Sequence, residues 1–177
     1  MMIDLPRVRL RTFEPTDAVA VIAAMNDWEV AQWLIVPPFP YGEADFKQFA
    51  EIVRQDHLNA YPQKFALALR DTDDVVGCMA VAAKDGGSGE LGYWIARACW
   101  GRGLASEAAP AVIAAAERDP QLRRLFATTD PANLASRRLL ERCGFFFSGE
   151  IKRELPTRRG TPTACLYERI RSGAVAD

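Results

Sequence analysis

A turn with two glycines joins a predicted strand to a predicted helix in the segment YWIARACWGRGLASEAA, residues 93 to 109. Gly101 and Gly103 allow a ligand to approach the backbone closely, and Arg102 between them adds a positive charge. The first turn of the helix exposes unpaired N–H groups and the positive end of the helix dipole. These features predict a phosphate or pyrophosphate site. The glycines taken alone suit a purely structural turn equally well.

The residues around these glycines disfavour two common nucleotide-binding motifs. No Gly-Lys-Ser/Thr sequence follows the turn, so it is not a P-loop. Ser106 stands where the third glycine of a dinucleotide fingerprint belongs.

A second group of polar and apolar residues shares one face of a predicted helix. Asn133, Ser136 and Leu140 are spaced i, i+3 and i+7, so their side chains project from the same side. An asparagine at this place also suits a helix cap, and the serine also suits a solvated helix position. Both interpretations remain open from the residues alone.

The turn and its flanks resemble a known enzyme family. Residues 100 to 105 are similar to the pyrophosphate loop of GNAT acetyltransferases, Q/R-x-x-G-x-G/A, with Gly103 and Ala105 matching. Trp100 replaces the usual Gln or Arg, as in the RimJ/RimL branch. The segments LPRVRLRTFEPTDA, PFPYGEAD, GELGYWI, the loop and NLASRRLLERCGF follow one another in the family's order. The resemblance covers nearly the whole chain.

The resemblance implies that acetyl-CoA is the co-substrate and that a primary amine attacks its thioester directly within a ternary complex. Many family members carry a tyrosine at the position of Leu140, which protonates the departing thiolate. This chain cannot use that residue, and Ser136 inherits the role. The positions implied to bind the cofactor are Trp94, Ile95, Trp100, Gly101, Arg102, Gly103, Leu104, Ala105, Ser106, Asn133, Ser136 and Leu140.

Removal of the amine proton needs a base, because amines are mostly protonated at neutral pH. Glu90, on the strand before the loop, is the leading candidate. A strand-edge carboxylate bonded to water is an equally good interpretation of this residue. Backbone N–H groups around Trp94 and Ile95 could stabilise the oxyanion if the strand is bulged or splayed there.

The acceptor stays open. The RimJ/RimL resemblance suggests the amino terminus of a protein or peptide, but similar enzymes acetylate amino acids, polyamines or antibiotics. An alternative of another class is a catalytically impaired, CoA-binding regulatory or interaction module, which the absence of a tyrosine at Leu140 motivates.

Bulk properties limit the remaining possibilities. The 177 residues, 49% of them hydrophobic, predict a single domain over residues 1–172 with a loose tail over 173–177. The net charge of -1 gives no argument for nucleic acid or a membrane as partner. No apolar run approaches the roughly 20 residues of a membrane span, and no signal peptide is evident, so we expect a cytoplasmic protein. A homodimer is a further hypothesis without independent support in the sequence.

Metal binding is not expected, because the four cysteines lack CxxC spacing and His57 is the single histidine. We interpret His57 as a solvated residue on the polar side of a long helix.

The periodicity of apolar residues predicts an α+β fold of mixed α/β character. Strands are expected over residues 7–13, 65–70, 75–83, 90–95, 122–128, 145–155 and 164–170. Helices are expected over residues 18–25, 28–34, 43–61, 104–118 and 132–143. The resemblance implies a mixed, mostly antiparallel sheet of about seven strands, flanked by helices, with a parallel crossover at the cofactor site.

Overall fold

A computed structural model of the chain describes residues 1–170. The strands are β1 (Ile3–Asp4), β2 (Val8–Arg11), β3 (Lys64–Leu69), β4 (Val75–Lys84), β5 (Ser88–Ile95), β6 (Arg124–Thr129), β7 (Phe146–Lys152) and β8 (Thr163–Ile170). The helices are α1 (Ala18–Asn26), α2 (Trp28–Ala31), α3 (Glu43–Asp56), α4 (Leu104–Ala116) and α5 (Leu134–Arg142). The predicted tail, Gly173 to Asp177, lies outside the described residues.

The strands form one sheet in the order β1-β2-β3-β4-β5-β6-β8-β7. The pair β5 and β6 is parallel, and the other neighbouring pairs are antiparallel. The predicted α+β fold with a parallel crossover is therefore confirmed. The sheet has eight strands rather than about seven. The additional strand β1 has only two residues, too few to show a period-two pattern.

Helices cover both faces of the central strands. Helix α4 packs on one face in a core that includes Leu10, Leu67 and Met79. Helices α1 and α3 pack on the other face, in a core that includes Val53 and Cys78. Since both faces are covered, β3 is buried along most of its length, and after Lys64 it is a continuous apolar run, FALAL.

The long helix α3 ends earlier than the sequence predicts. It stops at Asp56 instead of continuing to about residue 61. The Asp56 carboxylate accepts hydrogen bonds from the backbone N–H groups of Gln63 and Lys64, at 2.6 and 3.0 Å. These bonds fix a turn that returns the chain into β3.

The interpretation of His57 as a solvated residue is wrong, because the chain turns just after α3. The His57 ring packs edge-on against Phe65, with 4.9 Å between ring centroids. Its Nε2 lies 2.6 Å from the Lys64 carbonyl oxygen. Burial lowers the pKa of His57.

Within residues 1–170, the structure has no helix that is long and apolar enough to cross a membrane. The same residues contain no cluster of three or more His, Cys, Asp or Glu side chains placed to hold a metal ion.

Candidate functional site

The two parallel strands separate partway along the sheet. The β5–β6 ladder runs from the pair Ser88 and Arg124 to the pair Glu90 and Phe126 and ends there. On the other side of β5, the pairing with β4 continues without interruption from Ser88 to Ile95. Strand β5 is therefore splayed from β6 and is not bulged against β4. Backbone groups of β5 beyond Glu90 face the opening.

The hydrogen-bond alternation along β5 decides which N–H groups face this opening. The Ala96 N–H donates to the Val76 carbonyl at 2.8 Å. Since donors alternate along an antiparallel ladder, the Trp94 N–H also points toward β4, whereas the Tyr93 and Ile95 N–H groups point away from it. The direction of the Ile95 N–H therefore suits the expected role of stabilising an oxyanion. The Trp94 N–H does not suit this role, because it points to strand β4.

A cavity of about 750 Å³ lies at the opening and is lined from both sides of the sheet. Five of the predicted site residues contribute to its wall, namely Glu90, Trp94, Asn133, Ser136 and Leu140. The rest of the wall comes mainly from helices α1 and α3, from strands β4 and β6, and from the proline-containing segment that follows α2. The predicted turn residues, from Trp100 to Ser106, are not among the cavity-lining residues.

The turn leads into a helix, as the sequence predicts. Gly101 and Gly103 adopt positive φ angles of 72° and 74°, which favour glycine. Helix α4 begins at Leu104, and the Glu107 N–H makes an early helical bond to the Gly103 carbonyl at 3.1 Å. The N–H groups of residues 104 to 106 therefore form the open end of the helix. The Leu104 side chain is buried, so only its backbone is available to a ligand.

Arg7, which directly precedes β2, braces the turn. Arg7 donates from Nη1 to the Arg102 carbonyl and from Nε to the Glu107 carboxylate, both at 2.7 Å. Its backbone N–H also donates to Glu107, at 2.7 Å. Burial raises the pKa of Glu107, but the bonds from Arg7 and Val8 outweigh it, and the net shift is downward. Sequence reasoning missed Arg7 because it lies about a hundred positions away from the turn.

Three side chains of the turn contact neighbouring residues. The Trp100 indole N–H donates to the Ile95 carbonyl at 2.7 Å, which ties the turn to the end of β5. The exposed Arg102 places Nη1 3.6 Å from Cys99 Sγ. Ser106 Oγ accepts from Arg142 of α5 at 3.3 Å, so the start of α4 lies beside α5.

Helix α5 is capped at both ends. Asn133 Oδ1 accepts from the Ser136 N–H at 3.1 Å, so the cap interpretation of Asn133 is confirmed. At the other end, Gly144 has a φ of 81°, and its N–H and that of Phe145 bond back to the Glu141 and Leu140 carbonyls. These caps fix the helix face that carries Ser136 toward the cavity.

Glu90 lies inside the cavity, where the β5–β6 ladder ends. Its Oε1 accepts from Thr128 Oγ1 at 3.2 Å, and its Oε2 lies 3.1 Å from Lys84 Nζ. The carboxylate is thus held by two protein groups in the wall of the cavity. These contacts orient Glu90 toward whatever enters the opening.

Comparison with known proteins agrees with this geometry. Residues 7–146 match a family model described as an acetyltransferase (GNAT) domain. The chain belongs to the GNAT acetyltransferase family. It is similar to the uncharacterized N-acetyltransferase p20 of Bacillus licheniformis, with 27% identity over 82% of this chain and 83% of the relative. The family assignment confirms the predicted acyltransferase class, and the GNAT fold binds acetyl-CoA.

Two solved structures show how closely the fold is shared. An acetyltransferase of the GNAT family from Bacillus anthracis has a TM-score of 0.77 and 26% identity, covering 96% of this chain and 98% of the other. RimJ of Mycobacterium smegmatis in complex with CoA-disulfide has a TM-score of 0.75 and 21% identity, covering 96% and 86%. The second likeness supports the fold alone.

Tyr93, which was not among the predicted site residues, also lies in this site. The Tyr93 hydroxyl lies 2.8 Å from Ser136 Oγ and lines the same cavity. Leu140, at the position where many GNAT enzymes have a tyrosine, is 1% exposed. Tyr93 brings a phenol to α5 from the strand instead. In β5, the Tyr93 side chain points to the opposite face of the sheet from Gly92 and Trp94. This alternation was the sequence signal that could have placed Tyr93 on the face that α5 covers.

Proposed function

We propose that the chain transfers an acetyl group from acetyl-CoA to a primary amine, by direct attack of the amine within a ternary complex. The observation that carries the proposal is the splayed opening between β5 and β6, which exposes backbone groups of β5 next to Glu90 and Ser136. A covalent acetyl-enzyme is not needed, because the amine and the thioester can meet in this opening.

In this proposal the cofactor spans the opening. The residues of the turn, from Trp100 to Ser106, hold the pyrophosphate through the N–H groups at the start of α4. The Asn133 side chain and the free backbone groups of β5 bind the pantetheine arm, whose amides need donors and acceptors. The Ile95 N–H stabilises the oxyanion that forms on the thioester carbonyl.

Two side chains handle protons. Glu90 takes the proton of the attacking amine, directly or through water, while the nitrogen–carbon bond forms. The carbon–sulfur bond then breaks, and Ser136 supplies the proton to the departing thiolate. Leu140 has no proton to give, so the role passes to the hydroxyl that shares its helix face.

The test is acetyl-CoA-dependent thiol release with a panel of peptides, free amino acids, polyamines and aminoglycosides, with acceptor-free controls. We expect Glu90→Gln and Ser136→Ala each to lower kcat about 100-fold while the Kd for acetyl-CoA stays within a few fold. Glu51→Gln, at an exposed position of α3, is the matched control. Unchanged kcat in both site variants would remove these roles, and absence of both cofactor binding and turnover would refute the proposal.

A second candidate is a CoA-binding regulatory or interaction module with little turnover. Leu140 in place of a tyrosine and the ion pair between Glu90 and Lys84 favour it, because Lys84 occupies one oxygen of the candidate base. This candidate predicts saturable binding of acetyl-CoA without acetyl transfer to any amine of the panel.

A cytoplasmic location and a homodimer stay predictions. Strand β7 forms one edge of the sheet, and its Phe146 and Phe147 are 49% and 50% exposed, which supports self-association at this edge. Light scattering across protein concentrations would detect the dimer.

A further inference from the structure

The cavity wall carries both signs of charge within a mainly apolar surface. Its ionisable acidic and basic residues are Asp45, Lys84, Glu90 and Arg153. The apolar part of the wall includes Met25, Trp33, Leu34, Phe49 and Ile52. A polyamine or an aminoglycoside would bring several cations next to Lys84 and Arg153. A ligand with one positive and one negative group matches this wall better.

Arg153 provides the anion-binding part of the wall. It directly follows β7, and its backbone N–H donates to the Pro162 carbonyl at 2.8 Å. Its Nε donates to the Thr163 carbonyl at 3.2 Å, which orients the guanidinium. Among the described residues, no hydrogen-bond acceptor is found for its Nη1 and Nη2. A fixed guanidinium with unused N–H groups can bind a carboxylate through two parallel bonds.

The environment of Arg153 makes such a pairing favourable. Burial lowers its pKa, while the carboxylates of Asp130 and Glu90 act in the opposite direction. Asp130 is itself bound by the Ala132 N–H at 2.9 Å and the Thr157 hydroxyl at 3.2 Å. A guanidinium remains charged in a protein, so a partly desolvated one gains from a carboxylate in the cavity.

The loops around the cavity are tied together. Arg158 donates from Nη1 to the carbonyls of Ala31 and Leu34, both at 2.9 Å, and from Nη2 to the Pro37 carbonyl. Arg159 places its guanidinium 4.6 Å from the Trp33 ring centroid. These contacts join the turn between β7 and β8 to the proline-containing segment, so the two loops beside the cavity are held together.

We propose that the acceptor is a free α-amino acid with an apolar side chain. The amine lies beside Glu90, the carboxylate pairs with Arg153, and the side chain packs against the apolar wall near Trp33 and Phe49. This inference rests on the proposed acetyl transfer and narrows its substrate. The amine nitrogen forms the bond to the acetyl carbon and its proton passes to Glu90. The carbon–sulfur bond breaks, and CoA leaves as a thiol with a proton from Ser136.

The experiment compares matched acceptors that differ only at the carboxylate. Thiol release from acetyl-CoA is measured with L-phenylalanine, L-methionine and L-leucine and with the amide of each. We expect the wild type to prefer the acids over the amides by roughly 10- to 100-fold in kcat/KM, the size of a charge-assisted pair. In Arg153→Gln the preference falls to about one, because only the acids lose an interaction. Arg118→Gln, outside the cavity, retains the preference.

Two outcomes would overturn this inference and leave acetyl transfer intact. One is equal use of acids, amides and amino-terminal peptides by the wild type. The other is an acid preference that persists in Arg153→Gln when that variant binds acetyl-CoA normally. Absence of turnover with acids, amides and peptides alike would overturn the inference, and the proposed function would fall with it only if the whole acceptor panel gave no turnover and acetyl-CoA did not bind.

Discussion

The hydroxyl oxygen of Tyr93 lies 2.8 Å from Ser136 Oγ and joins strand β5 to helix α5 beside the cavity. Burial raises the pKa of the Tyr93 hydroxyl, while the bond to Ser136 opposes the rise. The phenol therefore keeps its proton throughout the neutral pH range. It can orient the Ser136 hydroxyl and replace the proton that Ser136 gives to a thiolate.

Replacing Tyr93 by Phe should slow the reaction without weakening the cofactor complex. We expect kcat to fall about 10- to 100-fold while the Kd for acetyl-CoA stays within a few fold, because the ring still fills its place. Steady-state kinetics and calorimetric titration measure the two quantities. The double variant with Ser136→Ala should be no slower than Ser136→Ala alone, since both hydroxyls act in one chain. Additive losses would contradict the coupling.

Arg7→Ala should weaken cofactor binding without altering the chemical step. Arg7 holds the Arg102 carbonyl and the Glu107 carboxylate, each at 2.7 Å, and its loss frees the turn before α4. We expect the KM and Kd for acetyl-CoA to rise about 3- to 10-fold with little change in kcat, equivalent to about 1 kcal/mol, the net contribution of one typical hydrogen bond. Arg118→Ala serves as the control. A fall in kcat at saturating acetyl-CoA would contradict a bracing role.

Local patterns account for what the sequence predicts correctly. The strand-to-helix turn at Gly101 and Gly103 follows from residue type, because glycine accepts the positive φ angles found there. The common face of Asn133 and Ser136 follows from helical spacing. Each of these features depends on residues within one or two turns of each other.

Long-range contacts account for what the sequence does not reveal. The bond between Tyr93 and Ser136 spans 43 positions, and the brace from Arg7 to Glu107 spans 100. No local pattern pairs such residues before the sheet order is known. The burial of His57 likewise depends on the early end of α3, which the Asp56 carboxylate fixes by binding the returning chain.

Asp17→Asn should destabilise the fold strongly. Arg11 donates from Nη1 and Nη2 to the two carboxylate oxygens of Asp17, at 2.8 and 3.0 Å, and both side chains are less than a tenth exposed. Removal of the negative charge leaves the buried guanidinium with only the more exposed Asp73 as an ionic partner, at 3.3 Å, at a cost of about 3 kcal/mol. Urea unfolding measures the free energy of unfolding. Asp85→Asn, at an exposed turn, is the control, and an equal small loss in both variants would refute the argument.

The stability of the protein should fall on acidification through the titration of His57. Burial lowers the pKa of this residue in the folded state, so below the unfolded value of about 6.5 the unfolded chain binds the proton more readily. The contribution of neutral His57 to the free energy of unfolding is therefore complete above about pH 6.5. It is lost progressively as the pH falls toward the lowered pKa of His57 in the folded state. Thermal unfolding at a series of pH values from about 5 to 8 measures the effect.

His57→Gln separates this titration from the others. The chain contains one histidine, so the variant should lose most of the dependence of Tm on pH between about 6.5 and 5.5. Its Tm at pH 8 should be somewhat lower than that of the wild type, because the ring contact with Phe65 is lost. Below about pH 5 both proteins should lose stability together, since carboxylates such as Asp130, whose pKa is lowered in the fold, begin to take up protons. A wild-type slope that the variant keeps between pH 5.5 and 6.5 would show that another group titrates there.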